Sequence, residues 1–436
     1  MATSMQNCNR IFFCNCMQDF ALLVLLLTSL SCSLLPTSDV PYVKGFNITE
    51  DGDYLLEMGP DSRTLSMAQK AVMEAKRLGA NHVIFNPRAA MLGPFSNEII
   101  PIIPLGKSIQ FMRARMVPFL QWVRHQGLSV QLRPILFVVT DLNTLSPFSS
   151  VEEGKRKNWF HGNIRPQNPE QWFASFRAYH DIYLAIARLA GAEIYTIGAE
   201  LYSMTVGIEG EWKEYPNGFP KNWNQLYQHV RKQLSLKTKI MYDVTYTDDF
   251  GHSMVRGGEF ERWRYHLVDM ATTSYELQEF WNSLDAIGFD MYRSLASSED
   301  QIPQNYDELV KLLRQTSDRY ANELTASISQ IEAVLKIKKP VILKEVGFRS
   351  SELSFLNPFV YDNPGEKLNL EHQAAAYEAF FESFSDPKLL WLRGMAFWDI
   401  GLGPKRRGAQ DNGFTPVGKP HTEALIKKYF QVIFSR

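Results

Sequence analysis

Residues 192–200 (AEIYTIGAE) and 340–345 (PVILKE) share one pattern, a run of small, β-branched and aromatic residues that ends in a glutamate. Such runs are too apolar for a strand with one face in water and are typical of strands buried on both faces. Glutamate is almost never fully buried unless it is paired, so packing alone does not explain these acids. We therefore expect two core strands with Glu200 and Glu345 at their carboxyl ends.

Strand-like and helix-like segments alternate on both sides of these runs. Strands are predicted at residues 42–48, 82–86, 129–139, 193–198, 239–244, 286–291, 341–345 and 394–398. Amphipathic helices are predicted at residues 66–78, 110–126, 171–189, 224–234, 306–335 and 371–384. This alternation predicts an α/β protein with a closed (β/α)8 TIM barrel rather than an open doubly wound sheet. No glycine-rich dinucleotide motif follows the first strand, which also disfavours the open sheet.

The first 32 residues differ from the rest of the chain. All four cysteines lie there, Cys8, Cys14, Cys16 and Cys32, together with an apolar run at residues 20–30 (FALLVLLLTSL). That run has the length of a signal-peptide core and is shorter than the ~20 residues of a spanning helix. We predict an export signal over residues 1–32 and one (β/α)8 domain over residues 40–436. The protein is then secreted, periplasmic or anchored in the cell envelope by a lipid.

Cys32 leaves two alternatives for the processing of this signal. The sequence Leu30-Ser31-Cys32 loosely resembles a bacterial lipobox, with Ser29 where a leucine is usual. Ordinary cleavage and lipidation at Cys32 are therefore both compatible with the sequence. The only membrane contact expected is through such a lipid.

Composition excludes several classes of function. The chain has 436 residues, 45% of them hydrophobic, and a formal net charge of -1, so charge does not favour a nucleic-acid partner. The histidines are scattered, no HExxH motif occurs, and no cysteine follows the predicted signal, so no metal is expected. No cofactor motif is present, and no G-x-S-x-G motif indicates a serine hydrolase.

On a TIM barrel the two glutamates acquire a shared position. Glu200 ends the fourth strand and Glu345 the seventh, and barrel active sites lie at the carboxyl ends of the strands. Their side chains are therefore expected to converge over the barrel mouth. Glycoside hydrolysis needs such a pair, one acid as proton donor and one as nucleophile or base. The alternative is a pair of structural acids that cap helices or bind Arg88, Arg133 or Lys344.

Three motifs carry a resemblance to a known family. They are residues 197–201 (IGAEL), 284–292 (LDAIGFDMY) and 344–350 (KEVGFRS). Further similar segments lie at residues 44–46, 79–83, 394–398 and 416–420. In this order the motifs resemble glycoside hydrolase family 113, the β-mannanase family of clan A barrels, over most of residues 43–430.

The resemblance implies a retaining glycosidase, similar to an endo-β-1,4-mannanase, that acts on a β-mannan-like oligo- or polysaccharide. It implies that Glu200 is the acid/base and Glu345 the nucleophile. Tyr292, after the sixth strand, resembles the clan tyrosine that donates to the nucleophile. Trp398, in the eighth strand, resembles the tryptophan under the reacting sugar. An ordinary aromatic at the barrel rim and a core tryptophan are the structural alternatives for these two.

Five other residues are candidates for sugar binding. Asn86 ends the second predicted strand and Asp243 ends the fifth, where either side chain is expected to reach a sugar hydroxyl. Trp159 and His161 lie in the long third βα loop, and such loops carry specificity. Trp212, in the fourth βα loop, either lines a subsite or packs.

Two residues depart from the clan pattern. Ala199 precedes the acid/base, where most clan A enzymes have asparagine, although family 113 tolerates other residues there. Lys344 stands where a small or hydroxyl residue is commoner, and strand alternation predicts that it points into the helix layer, away from Glu345. These departures leave open a retaining glycosidase for another β-linked glycan, and a non-catalytic carbohydrate-binding barrel.

Overall fold

The computed structural model describes residues 40–49, 56–61, 63–152, 155–208, 212–248, 258–361, 365–402 and 407–432. The predicted export signal, with its four cysteines, lies outside the described residues.

Eight parallel strands close into a barrel in the described part of the chain. In chain order they are β1 (Val43–Thr49), β2 (His82–Phe85), β3 (Ser129–Leu132), β4 (Ile194–Ala199), β5 (Lys239–Thr247), β6 (Ala286–Tyr292), β7 (Val341–Val346) and β8 (Leu392–Gly401). Each strand pairs with the next, and β8 pairs with β1. The predicted (β/α)8 barrel is therefore confirmed.

Helices surround the barrel strands. They are Met67–Arg77, Ile109–His125, Pro169–Ala190, Tyr202–Thr205, Pro220–Gln233, Gly258–Arg264, Tyr275–Ser283, Tyr306–Leu335, Leu370–Phe384 and Pro420–Val432, with a π-helix at Tyr265–Asp269 and 3-10 turns at His161–Asn163 and Ser354–Leu356. Side chains cap five of the helices by accepting a backbone N–H, namely Ser66, Ser108, Asn168, Asn305 and Asn369. These caps satisfy N–H groups that the first helical turn leaves without a partner.

The predicted strand at residues 129–139 is two strands in different sheets. β3 ends at Leu132, and Ile135–Val139 pairs instead with Arg88–Leu92 in a small sheet that also contains Ile100–Pro101. Pro134 lies between them, and proline has no N–H to donate to a sheet ladder. A second small sheet is the hairpin of Ser149–Glu152 and Lys155–Asn158.

Lys344 faces the barrel interior, so the prediction that it points into the helix layer was wrong. Its Nζ donates to the side-chain oxygen of Gln131 on β3, which lies on the opposite side of the barrel from β7. The pairing of β6 with β7 shifts here, from Phe289 opposite Leu343 to Asp290 opposite Glu345. One extra residue in β7 breaks the alternation of side chains on which the prediction rested.

Gly288 makes room for this inward lysine. A Cβ atom at Gly288 would lie 2.0 Å from Oδ1 of Asp243 and 2.5 Å from Cγ of Lys344. Gln131 also contacts His82 (3.1 Å) and donates to Thr196 Oγ1 (2.7 Å). The barrel interior below the mouth is therefore polar and internally hydrogen-bonded.

Candidate active site

Glu200 lies directly after β4, at the barrel mouth. Its φ of 57° is in the left-handed region, which non-glycine residues seldom adopt. Its N–H donates to the carbonyl oxygen of Asp243 (2.9 Å). Its side chain is 19% exposed, and Oε2 lies 2.9 Å from Nε2 of His161. The carboxyl thus reaches solvent while one oxygen contacts an imidazole from the third βα loop.

Glu345 is the more buried of the two acids. Its Oε2 accepts a hydrogen bond from the Tyr292 hydroxyl (2.8 Å), and its Oε1 lies 2.6 Å from Nη1 of Arg133. Burial raises the pKa of the Glu345 carboxyl above its ordinary value, while the Arg133 guanidinium opposes that shift. A cation and a hydroxyl donor therefore both favour the ionised form of Glu345.

Arg133 joins three acids beneath the mouth. Besides Glu345, it contacts Asp243 through Nε (2.7 Å) and Asp290 through Nη2 (2.6 Å), and Nη1 donates to Asn86 Oδ1 (3.2 Å). Burial alone would lower the pKa of Arg133, but these carboxylates raise it well above its ordinary value. Burial raises the pKa of Asp290. One guanidinium is therefore the shared counter-ion of the whole cluster.

Glu200 and Glu345 line one cleft at the barrel mouth. Tyr292 and Trp398 also line it. The remaining lining residues come from loops and strand ends, namely Phe160, Tyr202, Thr245, Thr247, Pro358, Phe359, Tyr361 and Phe414. Mostly apolar walls with a few convergent polar groups are typical of ligand sites.

Trp398 borders both this cleft and a second hollow. The second hollow shares Trp398 and Tyr361 with the cleft and is also lined by Asn86, Arg88 and Phe137. The indole Nε1 of Trp398 is buried and has no hydrogen-bond partner among the described residues. Both hollows therefore open beside the same tryptophan.

The structure brings together five residues predicted for the site. Glu200, Glu345, Tyr292 and Trp398 line the cleft, and His161 contacts Glu200. His161 is placed by the 3-10 turn His161–Asn163, directly before which Phe160 reaches the cleft.

Two polar candidates lie elsewhere. Asp243 does not end its strand, because β5 continues to Thr247, and it is fully buried against Arg133. Its predicted position at the mouth was therefore wrong. Asn86 binds Arg133 and Asn47 and borders the second hollow rather than the cleft.

The two loop tryptophans pack instead of lining the cleft. Trp159 is 3% exposed, and its Nε1 donates to Ser150 Oγ (2.8 Å). Trp212 packs against Tyr215 and Phe219, with ring centroids 5.1 and 5.5 Å away. Of the two alternatives for Trp212, the structure shows packing.

Several site residues were missed or undervalued in the sequence. Arg133 was considered only as a salt-bridge partner of the two glutamates. A basic residue directly after a core strand and before a proline could itself have indicated a site residue at the barrel mouth. Tyr361 and Phe414 lie within long βα loops, far from the ends of β7 and β8, and carried no signal. Their place in the cleft depends on how the last two βα loops cross the mouth.

Neither a metal centre nor a spanning helix is found where the structure describes the chain. No group of three or more His, Cys, Asp or Glu side chains there is arranged to hold a metal ion. No helix in the same residues combines the length and apolarity that crossing a bilayer requires.

Residues 267–419 match the family model described as Glycoside Hydrolase Family 113. This match confirms the resemblance drawn from the motifs, over a segment that holds Tyr292, Glu345 and Trp398. Glu200 lies before it. A comparison with curated protein sequences found no match. The fold and the matched segment define the class, a (β/α)8 barrel of the glycoside hydrolase type.

Solved structures with the same fold include β-mannanases. One is the GH113 β-mannanase AaManA from Alicyclobacillus acidocaldarius in complex with ManMIm, with a TM-score of 0.60 and 17% identity, covering 91% of this chain and 99% of that chain. Another, described as a GH113 β-1,4-mannanase, has a TM-score of 0.57 and 18% identity, covering 90% of this chain and 100% of that one. At such identities the likeness establishes the fold.

Proposed function

We propose that this protein is a retaining glycoside hydrolase, similar to an endo-β-1,4-mannanase, with Glu200 as acid/base and Glu345 as nucleophile. The observation that carries the proposal is that both glutamates line one cleft while their partners differ. Glu345 contacts Arg133 and Tyr292, and Glu200 contacts His161. The two carboxyls therefore have the different surroundings that two different roles require.

In the first step, the Glu345 carboxylate attacks the anomeric carbon while Glu200 donates its proton to the departing glycosidic oxygen. A glycosyl ester on Glu345 forms, and the leaving sugar departs with the proton. Arg133 and the Tyr292 hydroxyl keep Glu345 ionised before attack and orient its two oxygens.

In the second step, the now ionised Glu200 takes a proton from water, which attacks the anomeric carbon and releases Glu345 as a carboxylate. Glu200 must exchange protons in each cycle, which its partly exposed side chain permits. The contact with His161 restricts the orientation of the Glu200 carboxyl in both steps.

The proposed substrate is a β-linked mannan or mannooligosaccharide. Sugar rings present apolar faces, and the aromatic residues Trp398, Tyr361 and Phe414 offer surfaces on which such faces can stack. The choice of mannose is supported by the family match and by the names of the similar structures. Another β-linked glycan would use the same two steps.

The test is hydrolysis of β-mannan and mannohexaose by the wild type and by the variants Glu200→Ala and Glu345→Ala. Both variants should lose activity by roughly 10⁴-fold or more. On 2,4-dinitrophenyl β-mannobioside, whose leaving group needs little acid assistance, added azide should rescue them with opposite stereochemistry, giving the β-glycosyl azide from Glu200→Ala and the α-glycosyl azide from Glu345→Ala. Wild-type rates in both variants would rule out the mechanism. Mannohexaose binding without hydrolysis would indicate the non-catalytic carbohydrate-binding barrel.

We also propose that the protein is exported, on the evidence of the apolar run and cysteines before residue 33. The intact mass of the mature protein distinguishes ordinary cleavage from a lipid at Cys32. An uncleaved chain in the cytosol would contradict export.

A further inference from the structure

Glu259 is a buried glutamate behind the cleft, near the start of the helix Gly258–Arg264. Its Oε1 accepts three hydrogen bonds, from Thr205 Oγ1 (2.7 Å), the Tyr242 hydroxyl (2.8 Å) and Trp263 Nε1 (2.9 Å). Its Oε2 is also buried and has no partner among the described residues. Burying a carboxyl is costly, so a role beyond filling space is worth seeking.

Tyr242 connects this carboxyl to the backbone at Glu200. Its hydroxyl donates to Glu259 and accepts the N–H of Leu201 (2.9 Å), the residue after Glu200. Glu200 has the left-handed φ of 57°, a conformation that persists only when its surroundings hold it. The bond from Leu201 to Tyr242 is one of the contacts that hold it.

Thr205 provides a second connection. Its Oγ1, which donates to Glu259, also lies 3.2 Å from the carbonyl oxygen of Leu201, and its N–H donates to that same carbonyl (3.0 Å). The N–H of Leu201 is therefore linked to Glu259 through the Tyr242 side chain, and its C=O is linked through Thr205.

Glu259 is itself fixed from the other side. Its N–H donates to Oγ1 of Thr245 on β5 (2.8 Å), and Gly258, with φ of 68°, lies so close that a Cβ there would be 2.7 Å from the same oxygen. Burial raises the pKa of Glu259 to about 7. The carboxyl thus joins β5, the turn after β4 and the helix Gly258–Arg264.

We propose that Glu259 is a positioning residue for Glu200, which acts through Tyr242 and Thr205 to fix the left-handed turn that presents the Glu200 carboxyl to the cleft. Glu259 does not line the cleft and touches no substrate. The inference rests on the proposed acid/base role of Glu200.

Leaving-group dependence distinguishes positioning of the acid from general support of the fold. A general acid matters most when the leaving group is poor, as a sugar is, and little when it is 2,4-dinitrophenolate. We therefore compare kcat/KM, which reports the steps up to the glycosyl-enzyme, for mannohexaose and for 2,4-dinitrophenyl β-mannobioside.

Glu259→Ala and Tyr242→Phe should lower kcat/KM on mannohexaose by roughly 10- to 100-fold, since a misplacement of about 1 Å can cost that much. On the activated substrate each should stay within about threefold of the wild type. Tyr242→Phe removes one hydroxyl and keeps the ring packed against Trp223. It therefore tests the inference even if Glu259→Ala does not fold.

Two further variants sharpen the comparison. Glu259→Gln keeps an oxygen for the three donors and should recover most of the mannohexaose activity. Glu261→Gln is the matched control, because Glu261 lies on the same helix with a side chain 33% exposed, and should behave as the wild type on both substrates. In a Glu200→Ala background, Glu259→Ala should cause no additional loss, because the residue acts through Glu200.

The outcomes separate the inference from the function on which it rests. A wild type that hydrolyses neither substrate rules out the proposed function. A Glu200→Ala variant with equal losses on both substrates rules out its acid/base role. Suppose instead that the wild type is active and that Glu200→Ala loses more kcat/KM on mannohexaose than on the activated substrate. If Tyr242→Phe and Glu259→Ala then lose kcat/KM equally on the two substrates, Glu259 only supports the fold and the inference is overturned.

Discussion

The two sides of the cleft are built in different ways. Around Glu345 the contacts come from the barrel, with Tyr292 at the end of β6 and Arg133 directly after β3. The side chain of Glu200 instead contacts His161 in the third βα loop, whereas the backbone of the turn after β4 bonds to Asp243 and Tyr242 on β5. Glu345, the strand-held acid, is buried beside the guanidinium of Arg133. Glu200, the loop-held acid, reaches solvent.

This difference matches the two roles proposed. A nucleophile should stay ionised and in place, which a buried guanidinium on a rigid barrel favours. An acid/base must gain and lose a proton in each cycle, which needs access to water. The strand-held and loop-held sides should therefore respond differently when their contacts are removed.

The largest effect is expected from Arg133→Met on the strand-held side. It leaves Asp243, Asp290 and Glu345 buried without their counter-ion and should lower the free energy of unfolding by about 3–5 kcal/mol, measured by urea denaturation. Arg314→Met is the control, because its side chain is 47% exposed, and should cost at most about 1 kcal/mol. Equal losses in the two variants would contradict the shared counter-ion.

Tyr292→Phe should lower kcat on mannohexaose by roughly 10²-fold, because one oriented donor to Glu345 is lost. The Tyr292 hydroxyl favours the ionised carboxyl, so without it the pKa of Glu345 rises and the acid limb of kcat/KM moves to higher pH. Tyr275→Phe, at a residue 68% exposed, should change neither quantity. An unmoved acid limb would show that the hydroxyl does not act on the nucleophile.

Lys344→Met tests the polar interior beneath Glu345 through the pH dependence of stability. Burial lowers the pKa of Lys344 to about 7 from 10.5, so between these values the unfolded chain binds a proton that the folded chain lacks. The contribution of Lys344 to the free energy of unfolding therefore increases as the pH rises from about 7 to 10.5.

The difference in unfolding free energy between the wild type and Lys344→Met should accordingly change by about 1.4 kcal/mol per pH unit. Lys367→Met, with a side chain 76% exposed, should show no such slope. A flat difference for Lys344→Met would mean that the buried lysine keeps an ordinary pKa.

The smallest effect is expected on the loop-held side. His161→Ala removes one hydrogen bond to Glu200 and should lower kcat/KM on mannohexaose about fivefold, since such a bond contributes roughly 1 kcal/mol net. His229→Ala, which removes a histidine paired with Asp181, should leave activity unchanged. A loss as large as that of Tyr292→Phe would remove the distinction between the two sides.

Local pattern predicted both acids, Glu200 and Glu345, and much of the barrel. β4 and β7 were recognisable because continuous apolar runs are a property of short stretches, and the helix Tyr306–Leu335 was predicted with its observed bounds. Pro134 indicated that the strand breaks after Leu132, but the prediction followed the continuous apolar pattern of residues 129–139 instead. The helix Gly258–Arg264, with Glu259, went unpredicted because seven residues carry too little periodicity.

The sequence by itself determined which segments become core strands and that two of them end in glutamates, because polarity and period act over neighbouring residues. Only the tertiary structure decided that Arg133 joins three acids, that an extra residue in β7 turns Lys344 inward, and that Glu259 meets the turn after Glu200. These contacts join residues far apart in the chain, and closure of the barrel brings them together. The apolar pattern that predicts each strand does not specify which polar side chains will meet inside it.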